Sequence, residues 1–483
     1  MVLSTKRAIA FGMGAGYVGL VLQLASSMIL ARLLTPSEIG IYTAGFSVVA
    51  IAHLFRDFGL NQYLIQEHEL TYEKISAAFT LTIITSWLLG LVVFTLAAPA
   101  ATFFAEPGVK SLLQLLSINF FIIPFGSITL AVLRKNLRFE VTATIAFIAS
   151  LVGVGTSVIT AMQGTGYMCL AYGSIAECLS MVALSVIARP HGLRFGITLK
   201  GSKSIFKFAS TVGAANIISR VGTSGTDAIV ARVIGMPELG HFSRATGTFS
   251  LFERVFIGSI NGIVLPLFSR DRMNLEALQA SYIKSVDYTL AFAWPFFAFL
   301  LLYTDELVFI LYGAQWETAV LLVKTISIAG FILPLILFID SLFIAVSRPD
   351  ATLHISLATN ASKLLLVAFA AWQWGLNAAM IALTASFFIK AIISCFLLRK
   401  ILALDLLLLC KCAARAMPLL LGATLPPTIM TLSGALSNMS PLFQIVALAP
   451  VAAIGWLAAL IAGRHPFSLE LNAAIKAIMP SRD

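Results

Sequence analysis

Residues 75–99 read ISAAFTLTIITSWLLGLVVFTLAAP, twenty-five in a row with no charged side chain. A helix rises about 1.5 Å per residue and the hydrocarbon core of a bilayer is ~30 Å thick, so a stretch of this length crosses it. Stretches of the same kind recur to either side almost without pause. They predict fourteen spans, at 8–30, 39–62, 75–99, 110–133, 140–163, 167–189, 205–232, 239–265, 285–303, 316–346, 351–373, 376–398, 413–434 and 442–462. No polar segment between them exceeds about 20 residues, which leaves no room for a soluble domain. Lipid offers the backbone no hydrogen bonds, so the expected fold is an all-α integral membrane bundle.

Composition agrees. The chain is 59% hydrophobic and 11% charged, whereas a soluble domain is about 25% charged. Met1-Val2-Leu3-Ser4-Thr5-Lys6-Arg7 precedes an apolar run longer than a secretory signal core and without a small-residue cleavage site. It reads as an uncleaved first span. The five cysteines (169, 178, 395, 410 and 412) have neither zinc-ligand nor CxxC spacing, and the six histidines are scattered. No metal site is expected. No Gly-rich phosphate loop of the Walker type appears, so neither ATP hydrolysis nor another cofactor is expected.

The net charge of +10 is a matter of topology, not of nucleic acid. With the amino terminus inside, the inner segments hold Arg134, Lys135, Arg138, Arg189, Arg194, Lys200, Lys203, Arg270, Arg272, Arg399, Lys400 and Arg464 among others. The outer segments hold little beyond Arg32, Lys110 and Arg232. This is the positive-inside pattern, with both termini cytoplasmic and the basic loops against anionic lipid. One inner loop disagrees, where Glu67, Glu69 and Glu73 outnumber Lys74. The longest outer connection lies near Tyr303–Gln315, too short for an external catalytic domain, so an enzyme is not expected.

A shift of 200 residues places Ala31-Arg32-Leu33-Leu34-Thr35-Pro36-Ser37-Glu38-Ile39-Gly40-Ile41-Tyr42 on Ala231-Arg232-Val233-Ile234-Gly235-Met236-Pro237-Glu238-Leu239-Gly240-His241-Phe242. Ala, Arg, Glu, Gly and the aromatic coincide. Six spans separate the copies, an even number, so duplication yields two parallel halves about an axis along the membrane normal. The expected lobes are 1–200 and 201–400, each of six helices, followed by 401–483 with two additional helices and a cytoplasmic tail. A central cavity between lobes would suit alternating access.

Charges at membrane depth are costly and mark function or pairing. Span seven carries Asn216, Arg220, Thr223, Ser224 and Asp227 on one face; span two carries His53, Arg56, Asp57 and Asn61. Span eight holds Arg244, Glu253, Arg254 and Asn261, and span eleven His354, Asn360 and Lys363. Arg56 with Asp57, and Glu253 with Arg254, read equally well as structural pairs; Lys390 has the reach to snorkel inward. Arg220 and Lys363 lie deep without an acid one turn away, and Asp227 stands two turns from Arg220. Cations outnumber acids at depth, which favours an anion of substantial charge such as a diphosphate, and arginine's planar fork suits phosphate.

The turn at 31–42, the Phe55-Arg56-Asp57-Phe58-Gly59-Leu60 segment and the second-half Asp227…Ala231-Arg232…Glu238-Leu239-Gly240 pattern together resemble the polysaccharide transport family of the multidrug/oligosaccharidyl-lipid/polysaccharide exporter superfamily. The branch most similar is that of Wzx-type exopolysaccharide or colanic-acid exporters. The resemblance implies a bacterial inner-membrane flippase that moves an undecaprenyl-diphosphate-linked oligosaccharide to the periplasmic face, with transient contact to glycosyltransferases and a polymerase. Substrate contact then falls to Arg56, Arg220, Arg254 and Lys363, with Asn216 and Asn360 beside them, and ion coupling or charge balance to Asp227 and Asp57. Lipid II flippases also look this way, but span one here lacks an interior basic residue. Two alternatives stay open: an ion-coupled multidrug exporter of the same superfamily, which would want an acidic cavity, and a membrane glycan polymerase or ligase, which would want a large external loop.

The topology is directly testable. Single cysteines at Gly201 and Glu106 should be labelled from opposite faces by a membrane-impermeant maleimide, Gly201 from the inside; labelling of both from one face contradicts the reading.

Overall fold

The computed structural model describes residues 5–56, 63–64, 67, 70–190, 193, 195–199, 220–436, 439–463, 465–468 and 470. Among them the only regular structure is helical. Nine described helices are long and apolar enough to cross a membrane, or up to eleven if each of two bent pairs is one span. The chain divides into two units, Met1–Ser243 with Val367–Leu376, and Arg244–Leu366 with Asn377–Asp483.

The first unit holds α1 (Thr5–Leu33), α2 (Pro36–Arg56), α3 (Tyr72–Phe104), α4 (Gly108–Ile122), α5 (Pro124–Lys135), α6 (Phe139–Met162) and α7 (Met168–Ile187). Next come α8 (220–233) and the first half of α9 (Met236–Phe249). The Thr35-Pro36-Ser37-Glu38 turn is a capping box. The Thr35 amide and hydroxyl donate to Glu38 Oε2 at 2.8 and 2.9 Å, and the Glu38 amide donates back to Thr35 Oγ1 at 3.3 Å. Orphan amides of the first turn are thereby satisfied, and Pro36 loses nothing by lacking one. The span expected at 110–133 is bent by 52° between α4 and α5, where Pro124 cannot donate to the ladder. α6 and α7 pack backbone to backbone: a Cβ on Gly153 would lie 3.1 Å from Gly173 O, and one on Gly173 would strike Ser157 Oγ. Small residues allow such approach where helix surfaces gain nothing from excluding water. The extended segment 195–199 is tied to α3 by Gly196 N to Ser76 Oγ and Thr198 N to Thr80 Oγ1, both 3.0 Å, and by Phe195 stacked on Phe79.

The second unit is built on α11 (Leu275–Leu302), after α10 (Gly258–Asp271). After α12 (Thr304–Tyr312) the span expected at 316–346 is broken: α13 (Glu317–Ser327) gives way to a 3-10 turn and short segments before α14 (Ile339–Ala345), with a 50° bend. Carbonyls freed at the break find side-chain donors on α11. Tyr282 Oη donates to Leu335 O at 2.8 Å and Trp294 Nε1 to Phe331 O at 3.0 Å. That is the condition for irregular backbone at membrane depth. α15 (Pro349–Leu402) covers two expected spans and is interrupted at Gly375, whose φ of 77° suits glycine alone. α16 (Leu406–Leu432) and α17 (Pro441–Ala462) close through Gly422 and Gly455, each of which would drive an added Cβ into the other's carbonyl. Trp456 Nε1 links α17 to Ala291 O at 2.8 Å.

The α16–α17 contact makes a clear expectation. Gly455→Leu should lower both membrane abundance and Tm, a backbone clash that no rotamer avoids, whereas Gly155→Ala, with nothing within 4 Å of the new Cβ, should change neither. Abundance and thermal unfolding of the purified variants check it; an unchanged Gly455→Leu protein contradicts the packing.

Candidate functional site

The polar residues of the first unit gather on one set of helices. α2 supplies His53 and Arg56, and His53 lies flat on Phe120 of α4, ring centroids 4.6 Å apart at 18°. Beside Phe120, Asn119 Nδ2 donates to Ser174 Oγ of α7 at 2.9 Å. One turn along α7 are Glu177 and Cys178, and the charges of Arg56 and Glu177 both act on Cys178. Arg220, at the start of the described part of α8, is exposed, and its charge acts on His53 together with that of Arg56. Two arginines, from expected spans two and seven, therefore lie close enough to one histidine for their charges to act on it. Phe120 is fully buried and fixes the imidazole plane from behind.

Two atoms in this cluster, His53 Nδ1 and Asn119 Oδ1, are buried without a hydrogen-bond partner among the described residues. Orphan buried polar atoms are rare in folded proteins, and they leave donor and acceptor capacity for a guest. The arginines outnumber Glu177, so a guest that carries negative charge gains most. Asp227, a half-buried residue two turns beyond Arg220 on α8, belongs to the same unit. Asp57 and Asn216 lie outside the described residues.

The second unit carries a different set. Glu253 and Arg254 open a π-helical turn, Glu253–Ile257, inside the expected span eight, and both are exposed. One extra residue in the turn re-aims side chains, and such turns recur at functional sites. The charges of Lys390 and Arg254 act on Glu253, and Lys390 Nζ is 3.5 Å from Asp340 Oδ2. Lys390 thus faces acids in its own unit and does not depend on snorkelling. Asn360 spends its amide on Ser356 O at 2.8 Å, and Lys363 follows it on the same face of α15, half-buried. Arg244 sits with its guanidinium carbon 5.3 Å from the rings of both Tyr312 and Trp316, and Thr248 Oγ1 bonds Tyr312 Oη at 2.9 Å. That arginine serves an aromatic cradle. An apolar cavity of about 500 Å³ lies nearby in this unit, lined by Leu251, Phe292, Phe296, Phe299, Ile445 and Trp456 among others.

Of the expected residues, Arg56, Arg220 and Asp227 stand in the first unit, and Arg254, Lys363 and Asn360 in the second. Sequence reasoning alone did not find Asn119, Ser174 or the Phe120 platform. Asn119 in an otherwise apolar stretch was the available signal; its partner 55 residues away carried none.

Residues 29–321 match the family described as polysaccharide biosynthesis protein, well over half of the chain. The chain belongs to that family. It is 23% identical over 381 residues to the lipopolysaccharide biosynthesis protein WzxC of Escherichia coli (strain K12), a match that spans 78% of this chain and 76% of WzxC. It is 21% identical over 336 residues to the teichuronic acid biosynthesis protein TuaB of Bacillus subtilis (strain 168), covering 69% and 70%. Among solved structures it resembles the lipid II flippase MurJ in an inward closed conformation, with a TM-score of 0.75 at 15% identity over 94% of this chain and 99% of MurJ. An inward-facing multidrug resistance MATE family transporter of the MOP superfamily aligns at a TM-score of 0.65 and 16% identity, over 82% of this chain and 98% of that one. The fold is that of the MOP superfamily, in a multi-pass membrane protein of polysaccharide biosynthesis.

Proposed function

We propose that this protein is a flippase that carries an undecaprenyl-diphosphate-linked oligosaccharide from the cytoplasmic to the periplasmic leaflet of a bacterial inner membrane by alternating access. The carrying observation is the stack of His53 on Phe120 beside the orphan polar atoms His53 Nδ1 and Asn119 Oδ1, with Arg56 and Arg220 near enough for their charges to act on the imidazole. Two guanidinium forks can each hold a phosphate bidentately. In a low-dielectric setting a dianion is held far more firmly than in water. The apolar cavity of the second unit suits a stretch of prenyl chain. Arg254, Lys363 and Asn360 are proposed as further substrate contacts, and Asp227 and Asp57 as charge balance or coupling groups. The basic character of the cluster argues against a cationic drug as cargo.

The same reading proposes fourteen spans in two parallel lobes plus two C-terminal helices, with both termini cytoplasmic. Nine long helices and two bent pairs supply eleven; α15, interrupted at Gly375, counts as two; the segments around Arg220 and around the π-helical turn supply the rest. The matched Thr35–Gly40 and Gly235–Gly240 turns support the duplication.

Arg56→Ala and Arg220→Ala should each weaken diphosphate binding roughly 10- to 100-fold, the loss expected for one charge-assisted contact. Polysaccharide export should fall in step, while membrane abundance stays near normal. Lysine at either position should restore export in part, since it keeps the charge and loses the fork. Export that survives Arg220→Ala, or that declines only as the protein disappears, contradicts the assignment.

A further inference from the structure

The second unit holds another cavity, and this one is lined by charge. It encloses about 580 Å³ between the first half of α11, the start of α16 and the segment that follows α17. Its charged lining is Glu276, Lys284, Asp287, Arg415 and Glu470, with the apolar side chains of Ile283, Leu408 and Pro466 between them. Lys284 stands 18 residues before Leu302 at the far end of α11, and Arg415 17 residues before Leu432 at the far end of α16. At 1.5 Å per residue that is roughly 26 Å along each helix, so both side chains lie near one edge of a ~30 Å hydrocarbon core. Under the topology proposed above, that edge is the cytoplasmic one.

Asp287 is under-bonded for its position. It is buried, and its Oδ1 has no hydrogen-bond partner among the described residues. Its Oδ2 stands 3.6 Å from His465 Nε2 and 3.9 Å from Arg415 Nη1, both too long for a hydrogen bond. His465 does not neutralise it. The imidazole Nδ1 accepts from the Phe467 amide at 3.2 Å, so the ring carries its one proton on Nε2 and no charge. The Cys412 thiol also interacts with Asp287, but a thiol is a weak donor. Lys284 is taken by Glu470 at 2.9 Å, and Tyr288 Oη donates to the same oxygen at 3.4 Å. An ionised carboxylate away from water needs donors, and these neighbours leave room for them.

The lining selects the guest. Three carboxylates face two cations, so a purely anionic headgroup gains little here. A primary ammonium suits Asp287, since it brings the missing charge and three N–H donors. A phosphate beside that ammonium meets Arg415, whose side chain is more than half exposed and free to turn from Asp287 toward solvent. An ammonium and a phosphate two carbons apart are phosphoethanolamine. The edge of the hydrocarbon, with Ile283 and Leu408 in the wall, is where a lipid presents that group. A choline headgroup has the same charges but no N–H to give, so the carboxylate distinguishes the two.

We propose that this cavity binds the headgroup of phosphatidylethanolamine, ammonium on Asp287 and phosphate on Arg415, as a resident lipid that bridges α11 to α16. The test titrates the purified, delipidated protein with phosphatidylethanolamine and with phosphatidylcholine of the same acyl chains, read by native mass spectrometry and by Tm. Phosphatidylethanolamine should bind about tenfold more tightly, the worth of one or two charge-assisted hydrogen bonds, and should raise Tm further. Asp287→Asn should bring the ratio of the two affinities close to one. Arg415→Gln should weaken both lipids and keep the ratio. Equal affinities in the wild type, or an undiminished preference in Asp287→Asn, overturn the site. Should Asp287→Asn not accumulate, the wild-type ratio and Arg415→Gln decide, and unchanged affinity of both lipids for Arg415→Gln overturns it equally. Soluble phosphoethanolamine at millimolar concentration should leave the bound lipid in place; displacement by it overturns the assignment to a lipid. Every reading is of binding, with no transport, so the site stands or falls apart from the substrate reading above.

Discussion

Hydrocarbon gives a polar group nothing to bond, and every other feature of this protein follows from that. It makes the chain helical, because only a helix satisfies its own backbone. It makes each interruption need a donor, as Tyr282 and Trp294 provide at the broken span in the second unit. It makes charge at depth expensive, so the arginines that persist there are grouped with histidine and amide, or cradled in aromatic rings as Arg244 is. Under the proposed function a charged cargo eases the same expense: an anion seated beside Arg56 and Arg220 would offset part of the cost of keeping both there.

Helix contacts obey the constraint in another way. Without a hydrophobic drive between apolar helices, close packing must come from shape. Glycine supplies it three times. Gly153 with Gly173 closes α6 on α7, Gly422 with Gly455 closes α16 on α17, and Gly40 with Gly240 closes the repeated turns. The first two join neighbouring helices of one unit along their lengths.

The nine apolar helices among the described residues, or up to eleven spans with the bent pairs, were legible because each is a run of apolar residues bounded by charge or turn residues. The Thr35–Glu38 capping box was legible for the same local reason: its donors and acceptors are three residues apart. The repeat gave the register in which Gly40 and Gly240 later proved to meet backbone. What the sequence withheld is non-local or geometric. Nothing in the chain announces that His53 lies on Phe120, that Asn119 bonds Ser174, or that one extra residue per turn enters at Glu253. The break after Ser327 is marked by Gly330 and Pro334, but its tolerance depends on donors from α11 that adjoin it only in the folded chain. Lys390 read as a snorkelling residue because its neighbours Asp340 and Glu253 are distant in sequence.

The central claim is that the paired arginines of the first unit hold a diphosphate. Native mass spectrometry of the purified protein with undecaprenyl diphosphate and undecaprenyl monophosphate, each titrated against the wild type and the Arg56→Ala/Arg220→Ala double variant, tests it most directly. The diphosphate should bind the wild type about tenfold more tightly than the monophosphate, and the double variant should lose that preference. Equal affinity for the two lipids in the wild type, or an undiminished preference in the variant, would contradict the account.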